Sequence, residues 1–317
     1  MRRLNITFGT ILLVLGFFWL CPAVKAAGDL CQPTNFTQID VPGASYTAAN
    51  GINPRGDIVG LYFDSDGNLH GFLLSNGAFT TIDVPGAILT VPLGINSQSD
   101  IVGLYLDNSG NINGFLLSKG AFTTIDVPGT TFTVLDGINP EGDIVGEYRD
   151  ISDNVHSFLL SKGAFTTIDV PGATLTNASA INPQGDIAGF YDDNSGNSRG
   201  LLLSKGEITT IDVPGAAQTL AFGINPRREI VGDSVDDSGN THGFLLSKGS
   251  FTTIDVPGAV LTDANGINAG GDVVGDYIDN DGNGHGFLLK KPPLFSALDF
   301  RVTEHAISRS TSANGQN

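Results

Sequence analysis

Ile39-Asp40-Val41-Pro42-Gly43 is the first of six copies of one pentapeptide. The same five residues begin again at Ile82, Ile125, Ile168, Ile211 and Ile254, at a constant step of 43 residues. Gly-Ile-Asn keeps the same step at Gly51, Gly94, Gly137, Gly223 and Gly266, with Ala180-Ile181-Asn182 as the remaining copy. Units this similar, with no insertion between them, must occupy equivalent places, each burying its apolar face against the next.

Turn chemistry cuts each unit into strands. Asn53-Pro54-Arg55-Gly56 separates Gly51-Ile52 from Ile58-Val59-Gly60-Leu61-Tyr62; the proline presets φ for a turn and the glycine closes it. Asp64-Ser65-Asp66-Gly67-Asn68 then leads to His70-Gly71-Phe72-Leu73-Leu74, and Ser75-Asn76-Gly77 marks another hairpin. Phe79-Thr80-Thr81-Ile82-Asp83-Val84 is rich in strand formers and stops at Pro85-Gly86. No stretch carries the 3.6-residue apolar period of a helix. Four short strands joined by hairpins form an antiparallel meander, and meanders of this length repeated about an axis make a β-propeller. A parallel β-helix has no use for three hairpins per unit, and two packed sheets do not require six equal copies. The expectation is therefore an all-β, six-bladed β-propeller of 43-residue, four-stranded antiparallel repeats.

The outer-strand motif outnumbers the other three strands by one. It occurs first at Phe36 to Val41 and last, in degenerate form, at Phe295 to Phe300. One terminal copy must close the ring, and Phe36 to Val41 keeps the motif better, so it is expected to complete the blade of residues 259–289. The expected organisation is a signal peptide over 1–26, a lead-in over 27–35, the repeat domain over 36–300 and a polar, disordered tail over 301–317. The signal peptide is read from Arg2 and Arg3, the apolar run Ile11 to Leu20 and the small-residue end Val24-Lys25-Ala26. Ten apolar residues are too few to span a bilayer, which takes about 20. Cys21 suits a lipidation box poorly because the bulky Leu20 precedes it. Removing the leader leaves Cys31 alone, so no internal disulfide is available and stability must come from packing. The expected address is secreted, extracellular or periplasmic, without membrane insertion once the leader is gone.

With Gly51-Ile52-Asn53, Gly56-Asp57-Ile58-Val59-Gly60, Gly67 and His70-Gly71-Phe72-Leu73 in hand, the chain resembles the HAF-type extracellular repeat proteins of bacteria. The triplet stands as His-Gly-Phe at His70, His242 and His285, and as His156-Ser157-Phe158, Asn113-Gly114-Phe115 and Arg199-Gly200-Leu201 elsewhere. The resemblance covers roughly residues 36–300. It implies an exported bacterial protein with a propeller-like fold, and no reaction.

The chain carries 33 Asp+Glu against 16 Lys+Arg, a net charge of −17. That balance excludes nucleic acid as a partner, because such binders display a basic patch. It favours a cationic ligand, protein or glycan met through loops on one face of a monomer. The turns opening at Asp64, Asp107, Asp150, Asp193, Asp236 and Asp279 are the metal candidates. Asp64 with Asp66, and Asp279 with Asp281, resemble the start of a calcium loop, where alternating carboxylates wrap a hard cation. The later bidentate acid of such a loop is missing, and an Asp hydrogen-bonding its own turn explains the pattern equally. Calcium is the one cofactor considered.

His70, His156, His242 and His285 share one repeat position, which would diverge between blades, so strand-end packing is expected rather than zinc ligation. Arg55-Gly56-Asp57 is read as a turn, not an adhesion signal, since Glu141, Gln184 and Gly270 take the place of Arg55 elsewhere. Glu147, Arg149, Arg199, the Arg227-Arg228-Glu229 turn and Asp233-Ser234 break the repeat. They contain no nucleophile elbow, phosphate loop or triad order, and no catalytic residue is assigned. A hydrolase or lyase at the channel mouth requires Glu147, Arg149, Arg199 and Asp233 to meet in one site. The leading expectation is a non-enzymatic binding or envelope scaffold, with a calcium-stabilised module as a further alternative.

Overall fold

The computed structural model describes residues 35–291. The signal peptide, most of the lead-in, the polar tail and the Phe295–Phe300 motif lie outside the described residues. A first strand, β1 (Phe36–Ile39), precedes the repeats. The first repeat folds as β2 (Tyr46–Ile52), β3 (Ile58–Phe63), β4 (Leu69–Ser75) and β5 (Ala78–Ile82). The second holds β6 (Leu89–Ile95), β7 (Ile101–Leu106), β8 (Ile112–Ser118) and β9 (Ala121–Ile125). The third holds β10 (Thr133–Ile138), β11 (Ile144–Arg149), β12 (Val155–Ser161) and β13 (Ala164–Ile168). The fourth holds β14 (Leu175–Ile181), β15 (Ile187–Asp192), β16 (Ser198–Ser204) and β17 (Glu207–Ile211). The fifth holds β18 (Gln218–Ile224), β19 (Ile230–Val235), β20 (Thr241–Ser247) and β21 (Ser250–Ile254). The sixth supplies β22 (Leu261–Ile267), β23 (Val273–Ile278) and β24 (Gly284–Leu289).

Within each repeat the strands pair antiparallel in chain order, as the hairpin signals require. The sixth repeat takes its outer strand from the other end of the chain. β1 runs antiparallel to β24, with Phe36 opposite Leu289 and Ile39 opposite Gly286. The expected closure by the Phe36 motif is therefore what the structure has. A single parallel bridge, Tyr46 to Gly284, joins the first and last repeats into one eight-stranded sheet beside four separate four-stranded ones. The inner strands form a closed circuit: β2 packs on β6, β6 on β10, β10 on β14, β14 on β18, β18 on β22, and β22 on β2.

The core lies between consecutive sheets. Val59 and Ile82 of the first repeat meet Ile95, Ile101 and Phe115 of the second. At the junction of the chain ends, Ile39 and Val274 meet Ala49, Ile52, Ile58 and Phe72. Phe72, Phe115, Phe158, Phe244 and Phe287 share one position on the third strand and are fully buried, with Leu201 in the fourth repeat. Burying each such ring contributes about 2–3 kcal/mol relative to exposure. Every inner strand carries a register shift one step before the first residue of the Gly-Ile-Asn motif, Gly in five repeats and Ala180 in the fourth. The extra residue re-aims the chain where it approaches its neighbour. A Cβ on Gly51 would sit 2.8 Å from the Leu93 carbonyl oxygen of the next repeat.

The Asn of the same motif closes its own turn and, in the second, fourth, fifth and sixth repeats, also reaches the next repeat. Asn225 Oδ1 accepts the backbone N–H of Arg227 and of Glu229, closing the turn. Its Nδ2 donates to the Asn268 carbonyl at 3.2 Å, as Asn96 donates to Asn139 and Asn182 to Asn225. Asn268 donates to Asn53, 215 residues away in sequence, at 3.5 Å.

Candidate functional site

An antiparallel meander sends alternate turns to opposite ends of the molecule. The β2–β3 and β4–β5 turns and their equivalents lie at one end, the β3–β4 turns and the Asp-Val-Pro-Gly loops at the other. Charge follows this division. The second end carries Asp64, Asp66 and Asp83 with their repeat counterparts, while Arg149 and Arg199 are its only Lys or Arg among the described residues. Exposed Ile88, Ile151 and Val260 stand there among the carboxylates. The first end carries the remaining described lysines and arginines.

Each carboxylate that opens a β3–β4-type turn is engaged by the turn itself. Asp64 Oδ1 accepts the N–H of Asp66 at 2.9 Å and of Asn68 at 2.8 Å, and Oδ2 accepts Asn68 Nδ2 at 2.9 Å. Asp279 repeats this arrangement with Asp281 and Asn283. The Asn68 side chain and backbone hold Asp64 down to about 2, and Asn283 does the same for Asp279. Asp66 and Asp281 contribute their backbone N–H to these turns. Among the described residues no group of three or more His, Cys, Asp or Glu side chains is placed to hold a metal ion.

The repeated histidine joins two motifs that the sequence leaves apart. His70 Nδ1 lies 2.9 Å from Asp83, the acid of Ile-Asp-Val-Pro-Gly, and Nε2 lies 3.4 Å from the turn acid Asp64. Its ring stacks on Tyr62, whose hydroxyl meets Thr81 at 3.0 Å. His156 repeats the contacts with Asp169, Asp150 and Tyr148. Burial pulls both imidazoles down, but Asp83 and Asp64 at His70, and Asp169 and Asp150 at His156, outweigh it and raise them. Where the fourth repeat has Arg199, its guanidinium bridges Asp212 and Asp193 in the same way.

Near the axis the repeat breaks into buried acids. Ala48 faces Leu61 across β2 and β3, and Val91 faces Leu104 across β6 and β7. The same two positions hold Val134 and Glu147, Asn177 and Phe190, Leu220 and Asp233, and Asp263 and Asp276 in the later repeats. Asp233 accepts the Ala264 N–H at 2.9 Å and is hydrogen-bonded to Asp263. Asp276 accepts Tyr46 Oη–H at 2.7 Å and Asn265 Nδ2 at 2.9 Å. Burial pushes Asp233 up to about 7, against the pull of the Ala264 N–H, and Asp276 up to about 6, against Tyr46 and Asn265. Asp263, though partly open to solvent, is enclosed by protein and by two like charges, which drive it well above the carboxylate range. A second acid pair stands at Glu147, which accepts Asn177 Nδ2 at 3.0 Å, and Asp136, whose Oδ2 is buried with no hydrogen-bond partner among the described residues. Burial raises both, and Glu147 raises Asp136 further.

Glu147, Arg149, Arg199 and Asp233 do not gather in one site, although Arg149 lies close enough to Glu147 for its charge to act on that carboxylate. Glu147 belongs with Asn177, Arg149 lies over Phe132 and pairs with Asp153, Arg199 pairs with Asp212, and Asp233 belongs with Asp263. The joint site a hydrolase or lyase requires of these four is therefore not formed. Arg227 and Arg228 are structural ties: Arg228 grips Asp186 of the fourth repeat through two hydrogen bonds, and Arg227 pairs with Glu229. Asp136, Asn177, Asp263 and Asp276 escape motif reasoning. A column-by-column comparison of the repeats would single out Asn177, Asp263 and Asp276, whose places are apolar in the first two repeats, whereas Asp136 shares its column with Asn50, Ser179 and Asn265.

Among solved structures, a putative TolB from Agrobacterium tumefaciens matches with a TM-score of 0.53 at 13% identity, covering 78% of this chain and 91% of that one. The fold is a β-propeller with four-stranded antiparallel blades. A fungal lectin from Aleuria aurantia, described as a six-bladed propeller with a fucose recognition mode, gives a TM-score of 0.48 at 13% identity over 81% of this chain and 93% of that one. AofleA from Arthrobotrys oligospora gives 0.48 at 14% identity over 82% and 84%. No family model matches the chain, and no curated protein does.

Proposed function

We propose that the chain is an exported, non-enzymatic, six-bladed propeller of the HAF-type repeat kind, a scaffold that binds a cationic partner through its acidic end. The observation that carries this reading is the division of charge. Antiparallel blades need turn residues at both ends, yet the exposed carboxylates concentrate at the end built from the Asp-Gly-Asn turns and the Asp-Val-Pro-Gly loops. Six repeats place that chemistry around a ring, so an extended polycation meets carboxylates of several repeats at once. Tyr62, Tyr148 and Tyr277 are spent on contacts with His70, His156 and His285, which favours charge over aromatic stacking as the means of recognition.

The test is calorimetric titration with decalysine at low and high salt. Binding that weakens steeply with ionic strength and is reduced by the combined Asp66→Asn, Asp153→Asn and Asp281→Asn changes supports the reading. Heat of dilution alone at low salt would overturn it.

A further inference from the structure

The end opposite the acidic loops carries a second device. Lys119, Lys162, Lys205 and Lys248 occupy the tips of the hairpins between the third and fourth strands of repeats two to five. All four are exposed, and all four adopt positive φ, between 50° and 52°. That backbone conformation favours Gly, Asn or Asp. The first repeat fills the same slot with Asn76, at φ 51°. Turn geometry therefore does not ask for lysine, and the turn tolerates it against its own preference. The lysines also persist where their surroundings change: Glu207 and Ile208 follow in the fourth repeat and Ser250 in the fifth, where other copies have Ala-Phe and Ala.

These four cations are not spent on the fold. Every arginine among the described residues reaches a carboxylate: Arg55, Arg149, Arg199, Arg227 and Arg228 pair with Asp57, Asp153, Asp212, Glu229 and Asp186. None of the four lysines forms an ion pair with a described residue, in a chain of net charge −17. The carboxylates at their end are mostly drawn inward. Asp57 accepts Ser75 Oγ–H at 2.6 Å, Asp100 accepts Ser118, and Asp186 accepts Ser204 and Arg228. Among the described residues, only Glu141 and Glu207 are exposed carboxylates there, against the four lysines and Lys290 of the last repeat.

We propose that this lysine rim is a docking surface for the anionic headgroup layer of a lipid bilayer. Three features favour a planar surface over a linear polymer. The hairpins close in the same register, with Ser118 opposite Ala121, Ser161 opposite Ala164, Ser204 opposite Glu207 and Ser247 opposite Ser250, so equivalent blades carry the lysine at the same place on the same kind of tip. They lie around an arc of consecutive blades, which a plane touches together and a straight chain does not. The acidic end is removed by the length of a strand, roughly 20 Å for six residues, about two Debye lengths at physiological salt. Its charges therefore oppose docking little, and they turn the partner-binding end away from the membrane.

The experiment is co-sedimentation of the purified protein, as the cell processes it, with vesicles of 30% phosphatidylglycerol in phosphatidylcholine, alongside pure phosphatidylcholine vesicles and soluble heparin. Expected is partition to the anionic vesicles that falls with salt. The fourfold Lys→Asn variant at positions 119, 162, 205 and 248 should lose at least about tenfold in partition. Asn suits the turn, as Asn76 does, and unchanged circular dichroism verifies folding. The fourfold Lys→Arg variant should retain binding. Equal partition to neutral and anionic vesicles, an Asn variant that binds like the wild type, or binding to heparin without binding to vesicles each overturns the proposal. Decalysine binding by the Asn variant reads the acidic end separately, so failure of one proposal is distinguishable from failure of the other.

Discussion

His285 Nδ1 lies 3.0 Å from Asp40 Oδ1, although 245 residues separate them in the chain. Inside the first repeat, His70 meets Asp83 at 2.9 Å across only 13 residues. The two contacts are the same contact. Closure of the ring puts β1 where the sixth repeat lacks an outer strand, and this contact is rebuilt across the closure, with Tyr277 Oη–H donating to Gln38 at 3.0 Å where other repeats pair Tyr with Thr.

That equivalence predicts a measurable coupling. A double-mutant cycle over Asp40→Ala and His285→Ala should give about 0.2–1 kcal/mol, the range of a partly exposed pair. Urea midpoints for the four proteins provide it. A coupling of zero would mean that β1 is not held by this pair.

The buried acids near the axis make stability depend on pH. Asp233, at about 7, and Asp276, at about 6, hold protons that the unfolded chain releases near pH 4. The native state therefore binds more protons than the unfolded state from about pH 4 up to about 6 to 7, and stability falls as pH rises across that interval. The raised His70 and His156 act in the same direction, since their pairing with carboxylates is lost as they deprotonate. The turn acids work in the opposite sense at the acid extreme: Asp64 and Asp279, held to about 2, lose their contribution as pH drops below 4. The melting temperature should be higher at pH 5 than at pH 8. Asp263→Asn should flatten that dependence and raise stability at pH 8 by about 1–3 kcal/mol. An unchanged pH profile in this variant would contradict the assignment.

The glycine that begins each Gly-Ile-Asn answers to packing. Gly51→Ala places a methyl 2.8 Å from the Leu93 carbonyl oxygen, and Gly94→Ala places one 2.8 Å from that of Asp136. Each should destabilise by about 1–3 kcal/mol, as overpacking does. Ala180, which already fills this place in the fourth repeat, should accept Gly with a change under about 1 kcal/mol. Equal tolerance at all three sites, read from chemical denaturation, would show that the inner strands do not pack this closely.

Calcium provides a direct check on the Asp-Gly-Asn turns. With Asp64 and Asp279 each accepting three hydrogen bonds from their own turns, melting curves in excess calcium and in chelator should superimpose. A rise of the kind ligand binding produces, about 2.7 kcal/mol at a hundred times the dissociation constant, abolished by Asp64→Ala with Asp279→Ala, would assign metal sites there.

Much of this architecture is legible in the residues. Turn signals such as Asn53-Pro54-Arg55-Gly56 act locally, so they bound the strands correctly, and the surplus Phe36 motif announces the closure. The functional chemistry is harder to read because it depends on departures from the repeat. Glu147 and Asp233 stand out as charges amid apolar residues, but that Asp263 faces Asp276 across two strands follows only from the register. The histidine position is visible in the sequence, whereas its two carboxylate partners, 6 and 13 residues away for His70, become neighbours only when the third strand pairs with the second on one side and the fourth on the other. The separation of lysines from acids is likewise invisible in net charge, because alternate turns of one meander point to opposite ends.

The most direct test of the account is a disulfide between β1 and β24. Thr37 lies opposite Leu288, so the Thr37→Cys, Leu288→Cys variant, with Cys31→Ser to remove the competing thiol, should oxidise within the monomer. Peptide mapping under non-reducing conditions should find the two cysteines linked. The oxidised protein should unfold at a higher midpoint than the reduced one, by up to about 5 kcal/mol for a loop of this length. Reduced monomers, or cross-links only between molecules, would mean that the first strand does not complete the last blade.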